Sequence, residues 1–222
     1  MIYDSYVWKK TLKNDLKQIK TFLLKYYSKA DNGSKSYDDA FIRLQKYFVF
    51  SSIIIRKLIE AEKISDEAMT NSVKISTHEK INGKKITIFN DHKIDEFYDL
   101  ENPKKGTMSI VNLTNSFIHS FHFMPAYDWK IIDESLDEDD FENLKLDKLI
   151  GIYFSTDKTK DKNLNFINFE DFEKIIDLII KDNIVSSEWV DGKYTKRSSI
   201  EKPMSDETKR LIEEHENNKA IR

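Results

Sequence analysis

The chain has 222 residues, no cysteine, and 36 lysines and arginines against 39 aspartates and glutamates, for a net charge of −3. That length suits one domain of roughly 100 to 200 residues and is enough to build a core without disulfides or a structural metal. The near-balanced charge excludes a broad nucleic-acid-coating surface, 12% aromatic residues exclude a disordered chain, and the absence of cysteine excludes disulfide scaffolds, zinc ribbons and thiol catalysis.

Residues Met1 to Lys20 interrupt their apolar positions with Lys9, Lys10, Lys13, Lys17 and Lys20, so they do not read as a signal peptide. No run approaches the roughly 20 consecutive apolar residues needed to span a bilayer, and a soluble, cytoplasmic protein is expected. All but five of the basic residues are lysine, a bias that fits an AT-rich bacterial or phage genome.

Leu12, Leu16, Ile19, Leu23 and Tyr26 recur at spacings of three and four, which predicts an amphipathic helix over about 5 to 29, ended by Asp31-Asn32-Gly33-Ser34. A second helix over about 37 to 62 places Phe41, Leu44, Phe48, Ser52, Ile55 and Ile59 on one face. Its stretch Tyr47 to Ile55 is apolar nearly all round and must be covered on most sides. The two helices form the expected N-terminal helical hairpin. Asn82-Gly83, between short β-branched runs from Val73 to Phe89, predicts a two-residue hairpin. Residues 91 to 105 read as loop with one short turn, and a third helix is predicted over about 108 to 121.

After the acidic connector Asp133 to Glu142, Leu149 to Phe154 reads as a strand and Leu164 to Ile167 as its hairpin partner across a turn carrying Lys158, Lys160 and Lys162. Asn168 caps a predicted helix over 169 to 182 with Phe172, Ile175, Ile176, Ile179 and Ile180 on one stripe. Asp191-Gly192, between Trp189-Val190 and Tyr194, predicts a last hairpin. The fold class is α+β: a helical hairpin plus a third buried helix, then C-terminal β-hairpins with one packed helix. The expected organisation is a single domain over 1–200, helical over about 1–125 and β-rich over about 145–200. The charged tail 201–222 is expected to be exposed or disordered.

Residues Gly106 to Tyr127 contain no Asp, Glu, Lys or Arg. In a chain that is 34% charged, 22 such residues in a row arise by chance about once in 10⁴ starts. At 100° per residue Ile110, Leu113, Phe117 and Phe121 share one stripe, and Asn112, Asn115, His119 and His122 the opposite one. Amides and imidazoles where a surface helix carries Lys and Glu imply that this face is also covered, each polar group satisfied by a partner. Three readings follow: a structural network, a ligand or active site using the histidines as acid, base or phosphate contact, or a metal pair of His119 and His122 joined by Asp91 or His92. No fuller metal motif accompanies the pair, so neither a metal nor a cofactor is expected.

The acidic connector lacks the glycine and ligand spacing of a calcium loop and reads as solvated. Lys158, Lys160 and Lys162 suit an exposed turn, from which a phosphate contact is conceivable. No phosphate-binding glycine loop, Gly-x-Ser-x-Gly elbow or His-Glu-x-x-His occurs.

The run Thr114-Asn115-Ser116-Phe117-Ile118-His119 resembles the signature helix of HEPN-type proteins, in which an arginine stands four to six positions before a histidine. The resemblance covers that helix and, loosely, the long helices before it. It implies a helical bundle, often a dimer, and in many members a metal-independent ribonuclease of toxin-antitoxin, CRISPR-associated or phage-defence systems. His119 matches the family histidine, whereas Thr114 stands where the arginine would be and cannot supply its positive charge. Arg56 on the second helix is the candidate to reach the site from elsewhere. The leading expectation is therefore a non-enzymatic accessory protein of a phage-defence or mobile-element locus, acting through a protein partner or a homodimer. The alternative is a HEPN-like ribonuclease acting on RNA through His119, with His122 and Asn115.

Overall fold

The computed structural model describes residues 4–28, 34–131, 144–190 and 193–198. The acidic connector, the Asp191-Gly192 turn and the tail 201–222 lie outside the described residues. Helices α1 (Ser5–Ser28) and α2 (Ser34–Glu60) form the helical hairpin. On α1 the buried apolar side chains are Leu12, Ile19, Leu23 and Tyr26, with Leu16 half-covered, which is the stripe the spacing predicts, and Lys9 is buried beside them. On α2, Leu44, Tyr47, Phe48, Ser51, Ser52, Ile54, Ile55 and Leu58 are buried and Phe50 is open. The apolar run is covered on most sides but not all.

The short helix α3 (Asp66–Thr70) is capped by Ser65, whose hydroxyl accepts from the Ala68 amide. It leads into β1 (Ser72–Glu79). After α4 (Ile94–Phe97) come β2 (Lys104–Ser109), α5 (Ile110–Ile118), β3 (Ser120–Ile131), β4 (Leu144–Thr156), β5 (Asn163–Asn168), α6 (Phe169–Lys181), β6 (Ile184–Val190) and β7 (Lys193–Ser198). Strands β1 to β5 make one antiparallel sheet in the order β2-β1-β5-β4-β3, and β6 with β7 a separate hairpin. The fold is α+β with the N-terminal helices packed on one face of the sheet. No helix among the described residues is long and apolar enough to cross a membrane.

The expected β4–β5 and β6–β7 hairpins are present, with Ile152 opposite Ile167 and Trp189 opposite Tyr194. The Asn82-Gly83 hairpin is not. β1 pairs with the distant β2, Ser72 opposite Ser109, and residues 84–89 form no strand. Side-chain amides take over the backbone groups of that segment: Lys84 N donates to Asn82 Oδ1 (3.0 Å) and Thr87 N to Asn90 Oδ1 (2.8 Å). Strand β1 takes the place of the first arm of that expected hairpin and β2 begins in the stretch read as loop; both lie within the half expected to be mainly helical, so the sheet draws on both halves.

Phe48 of α2, Phe117 of α5 and Phe172 of α6 meet over Phe154 of β4, with Phe48 stacked on Phe172 at 4.2 Å and Phe117 tilted on Phe154 at 4.8 Å between centroids. All four rings are buried, each contributing roughly 1.5 to 3 kcal/mol. This cluster fixes α5 between α2 and the sheet. Gly151 of β4 lets β5 approach: a Cβ there would lie 2.2 Å from the Ile167 carbonyl oxygen. On the other face of the sheet, Ile86, Phe97, Tyr98 and Leu164 form a second small core. The end of α6 is tied down by Asp182, whose buried carboxylate accepts from Ser65 N (2.8 Å), Ser65 Oγ (2.7 Å) and Ser198 Oγ (2.7 Å).

Candidate functional site

Helix α5 starts at its cap Ser109 and ends at Ile118, with His119 as the C-cap. It is shorter than the 108 to 121 expected, so the helical stripe stops before His122. The run Phe121-His122-Phe123 is apolar on alternate and on helical spacing alike, which leaves its period undecided in sequence. The structure makes it strand, with a register shift between Ser120 and His122 where β3 begins to pair with β4. That shift turns His122 onto the far face of the sheet.

His122 is consequently separated from its expected companions. It is buried, its Nδ1 shares a 2.6 Å hydrogen bond with Ser155 Oγ, and the Tyr98 ring lies edge-on to it at 5.8 Å. Its Nε2 is buried with no hydrogen-bond partner among the described residues. Burial lowers its pKa, and nearby Asp91 opposes this only in part. His122 is placed as a packing residue. The metal pairing of His119 with His122 is not assembled, and among the described residues no three His, Asp or Glu side chains are grouped as metal ligands.

Asn112, Asn115, Ser116 and His119 remain together. At i, i+3, i+4 and i+7 they form one stripe of α5, and all four line a cleft of about 810 Å³. The face expected to be covered is therefore partly open: Asn112 and His119 are exposed and Asn115 is half-buried. The cleft has a helix wall, α5 with Arg56 of α2, and a sheet wall, Met108 of β2 and Asn165 of β5 with Thr156 to Thr159 at the end of β4.

Arg56 is brought in by packing of α2 on α5. Its Nη1 donates to Asn115 Oδ1, and its Nη2 to Glu60 Oε1 at 3.3 Å. Thr114, at the place of the arginine in the HEPN signature, is buried and its hydroxyl donates back to the Ile110 carbonyl at 2.9 Å. It faces the core. A guanidinium therefore reaches this cleft from α2 and not from the motif position. The resemblance implies an all-helical bundle around the motif, but α5 here leans on β4 as well as on α2.

The opposite wall is built by a tight turn. Thr156 N donates to Thr159 Oγ1 at 2.9 Å, and Thr159 N to the Thr156 carbonyl at 3.0 Å. Lys158 at the tip is exposed and lines the cleft, while Lys160 turns away to Asp157 and over the Phe121 ring at 3.7 Å. Asn165 is only 7% exposed, and its Oδ1 accepts from Thr77 Oγ1 at 3.0 Å.

The carboxylates near the cleft are committed, Asp157 to Lys160 and Glu60 to Arg56 and Lys57. Of the sequence-predicted site residues, Asn115 and His119 sit together with Arg56, and His122 does not join them. Thr156, Thr159 and Asn165 were not legible as site residues, because they belong to strand ends whose placement depends on sheet pairing. Comparison of the chain with protein-family models, curated proteins and solved structures gives no match.

Proposed function

We propose that the cleft binds RNA and cleaves it without a metal, with His119 as the proton-transfer group and Arg56 as the stabiliser of charge on the phosphate. The observation that carries this reading is the convergence of Arg56, its partner Asn115 and His119 on one cleft. An imidazole is suited to proton transfer near neutrality. A guanidinium is a fixed cation with planar donors matched to phosphate oxygens. RNA supplies its own nucleophile: the 2′-oxygen attacks the adjacent phosphorus, its proton passes to the imidazole, the P–O5′ bond breaks, and the leaving 5′-oxygen takes a proton from water, giving a 2′,3′-cyclic phosphate and a 5′-hydroxyl, after which the imidazolium returns its proton to solvent. Lys158 lies where the flanking backbone would pass, and Asn115 holds the guanidinium in place.

The test is incubation of the purified chain with single-stranded and structured RNAs, with products scored for a 2′,3′-cyclic phosphate end. Wild type is expected to cleave and His119→Gln to lose cleavage while keeping its thermal stability. An inert wild type, or His119→Gln cleaving at the wild-type rate, refutes the reading. The inert outcome is what the accessory-protein expectation predicts.

A further inference from the structure

The cleft is lopsided in its hydrogen-bonding chemistry. The Arg56 guanidinium has donors only, so the oxygen of the Asn115 amide must be the atom that faces it, and the Asn115 Nδ2 is left as a donor. On the other wall, Asn165 Oδ1 is taken by the Thr77 hydroxyl, which directs the Asn165 NH₂ away from β1. Both amides therefore have their acceptor atoms engaged by protein and their donor atoms available. The Thr156 and Thr159 hydroxyls are 3.1 Å apart and satisfy each other. Arg56 and Lys158 add cationic donors to these two amides, on a lining that also carries Asn112, Ser116, His119 and Asp157.

These four donor groups fit a ligand that presents acceptors to them. Phosphate oxygens account for the Arg56 and Lys158 side, whereas Asn165 stands on the sheet wall as a neutral, buried amide. With the phosphate charge met by Arg56 and Lys158, this neutral donor is matched by a neutral carbonyl oxygen, and leaving it unpaired under a bound ligand is costly. Single-stranded RNA bases expose such carbonyls on their Watson–Crick edges, and side-chain amides are a common reader of base edges. Met108, a half-buried residue of β2 that also lines the cleft, offers an apolar contact for a base face.

Resting on the RNA reading above, we infer that Asn165 reads the base next to the scissile phosphate through a carbonyl oxygen, so that the cleft selects uridine over cytidine and guanosine over adenosine. Uridine and cytidine differ on that edge by a carbonyl against an amino group. An NH₂ donor is satisfied by the first and faces another donor in the second.

The test is binding of short 2′-O-methyl oligouridine and oligocytidine, which cannot be cleaved through the blocked oxygen, followed by fluorescence anisotropy. Wild type is expected to prefer the uridine oligomer by about tenfold. Asn165→Asp replaces the donor by an acceptor of the same shape and should abolish or reverse the preference. Thr77→Val, at a half-buried strand position that suits valine, unlocks the Asn165 amide and should narrow the preference even if Asn165→Asp folds poorly. Equal affinity of wild type for the two oligomers, or an unchanged preference in a folded variant, overturns the inference. Binding with the preference but without cleavage of ordinary RNA leaves the base readout standing and removes the reaction. Binding of neither oligomer removes both.

Discussion

Replacing Arg56 by methionine separates chemistry from folding, because the structure sets the two costs far apart. The side chain is about a quarter exposed, at 26%. One of its bonds, to Glu60, belongs to an exposed i,i+4 pair and contributes under about 1 kcal/mol. The other, to Asn115, is charge-assisted and part-buried, worth about 1.5 to 3 kcal/mol before compensation. Two effects offset it. The Arg56 Nε is buried without a partner among the described residues, and methionine restores the aliphatic stem while relieving that group. The net cost to folding is about 1 kcal/mol, which lowers the melting temperature of a chain this size by about 2 to 4 °C.

The proposed reaction asks much more of the same side chain. Loss of one preorganised charge-stabilising donor costs about 100- to 1,000-fold in rate. Single-turnover cleavage of RNA and a thermal melt on the same preparation therefore give opposite readings for Arg56→Met: a rate down by two orders of magnitude and a melt nearly unchanged. Arg56→Lys keeps a charge but not the planar fork, and should recover only a minor part of the rate. A variant that cleaves within threefold of wild type, on the order of the scatter tolerated by this argument, would show that the guanidinium is not part of the chemistry. A melt lowered by more than about 10 °C would show that Arg56 is chiefly a structural clamp between α2 and α5.

Gly151→Ala should be among the most damaging single substitutions outside the cleft, because the added Cβ meets the Ile167 carbonyl oxygen at 2.2 Å and the Phe166 ring at 2.6 Å. A backbone atom cannot step aside, so a loss of about 3 kcal/mol or more is expected, seen as a large drop in the urea midpoint; a drop under about 1 kcal/mol refutes it. Protonation of His122 should destabilise the fold on mild acidification. Burial holds its folded pKa below the unfolded value of about 6.5, so the unfolded chain binds the extra proton first. Stability is then full above that value and falls as pH drops below it, by at most about 1.4 kcal/mol per pH unit for one proton. Urea melts from neutral pH to the upper end of carboxylate titration check this, and His122→Gln should flatten the slope.

Much of the architecture is legible locally. The stripes of α1, α2 and α6 are strongly periodic, and the β4–β5 and β6–β7 hairpins join strands that are neighbours in the chain. What the sequence hides are pairings between distant segments. Strand β2 is Lys-Lys-Gly-Thr-Met-Ser, mostly exposed at a sheet edge, with no β-branched alternation to announce it. At Asn82-Gly83 the chain bends with the Asn82 side chain accepting from Lys84 N, but no hairpin turn forms and no strand follows, since residue 80 bridges Tyr98 and β1 turns its ladder to β2 and β5. The site divides in the same way. Asn112, Asn115 and His119 are visible as one helical stripe, while Asn165 and Thr156 are ordinary strand residues until the sheet places them.

The missing charge between Gly106 and Tyr127 acquires a physical reason from this placement. The segment covers the end of β2, all of α5 and most of β3, and α5 is enclosed by α2 on one side and β4 on another. A lysine or glutamate on α5 would either enter the aromatic core around Phe117 or project into the cleft. In the second position a carboxylate would capture Arg56, and an ammonium would compete with it for the same anion. Uncharged amides avoid both outcomes: Asn115 holds the guanidinium by its oxygen and adds no carboxylate beside Glu60, which already pairs with it. The arginine absent from the motif helix is thus matched by one from a neighbouring helix, and the neutrality of α5 spares that guanidinium a second carboxylate.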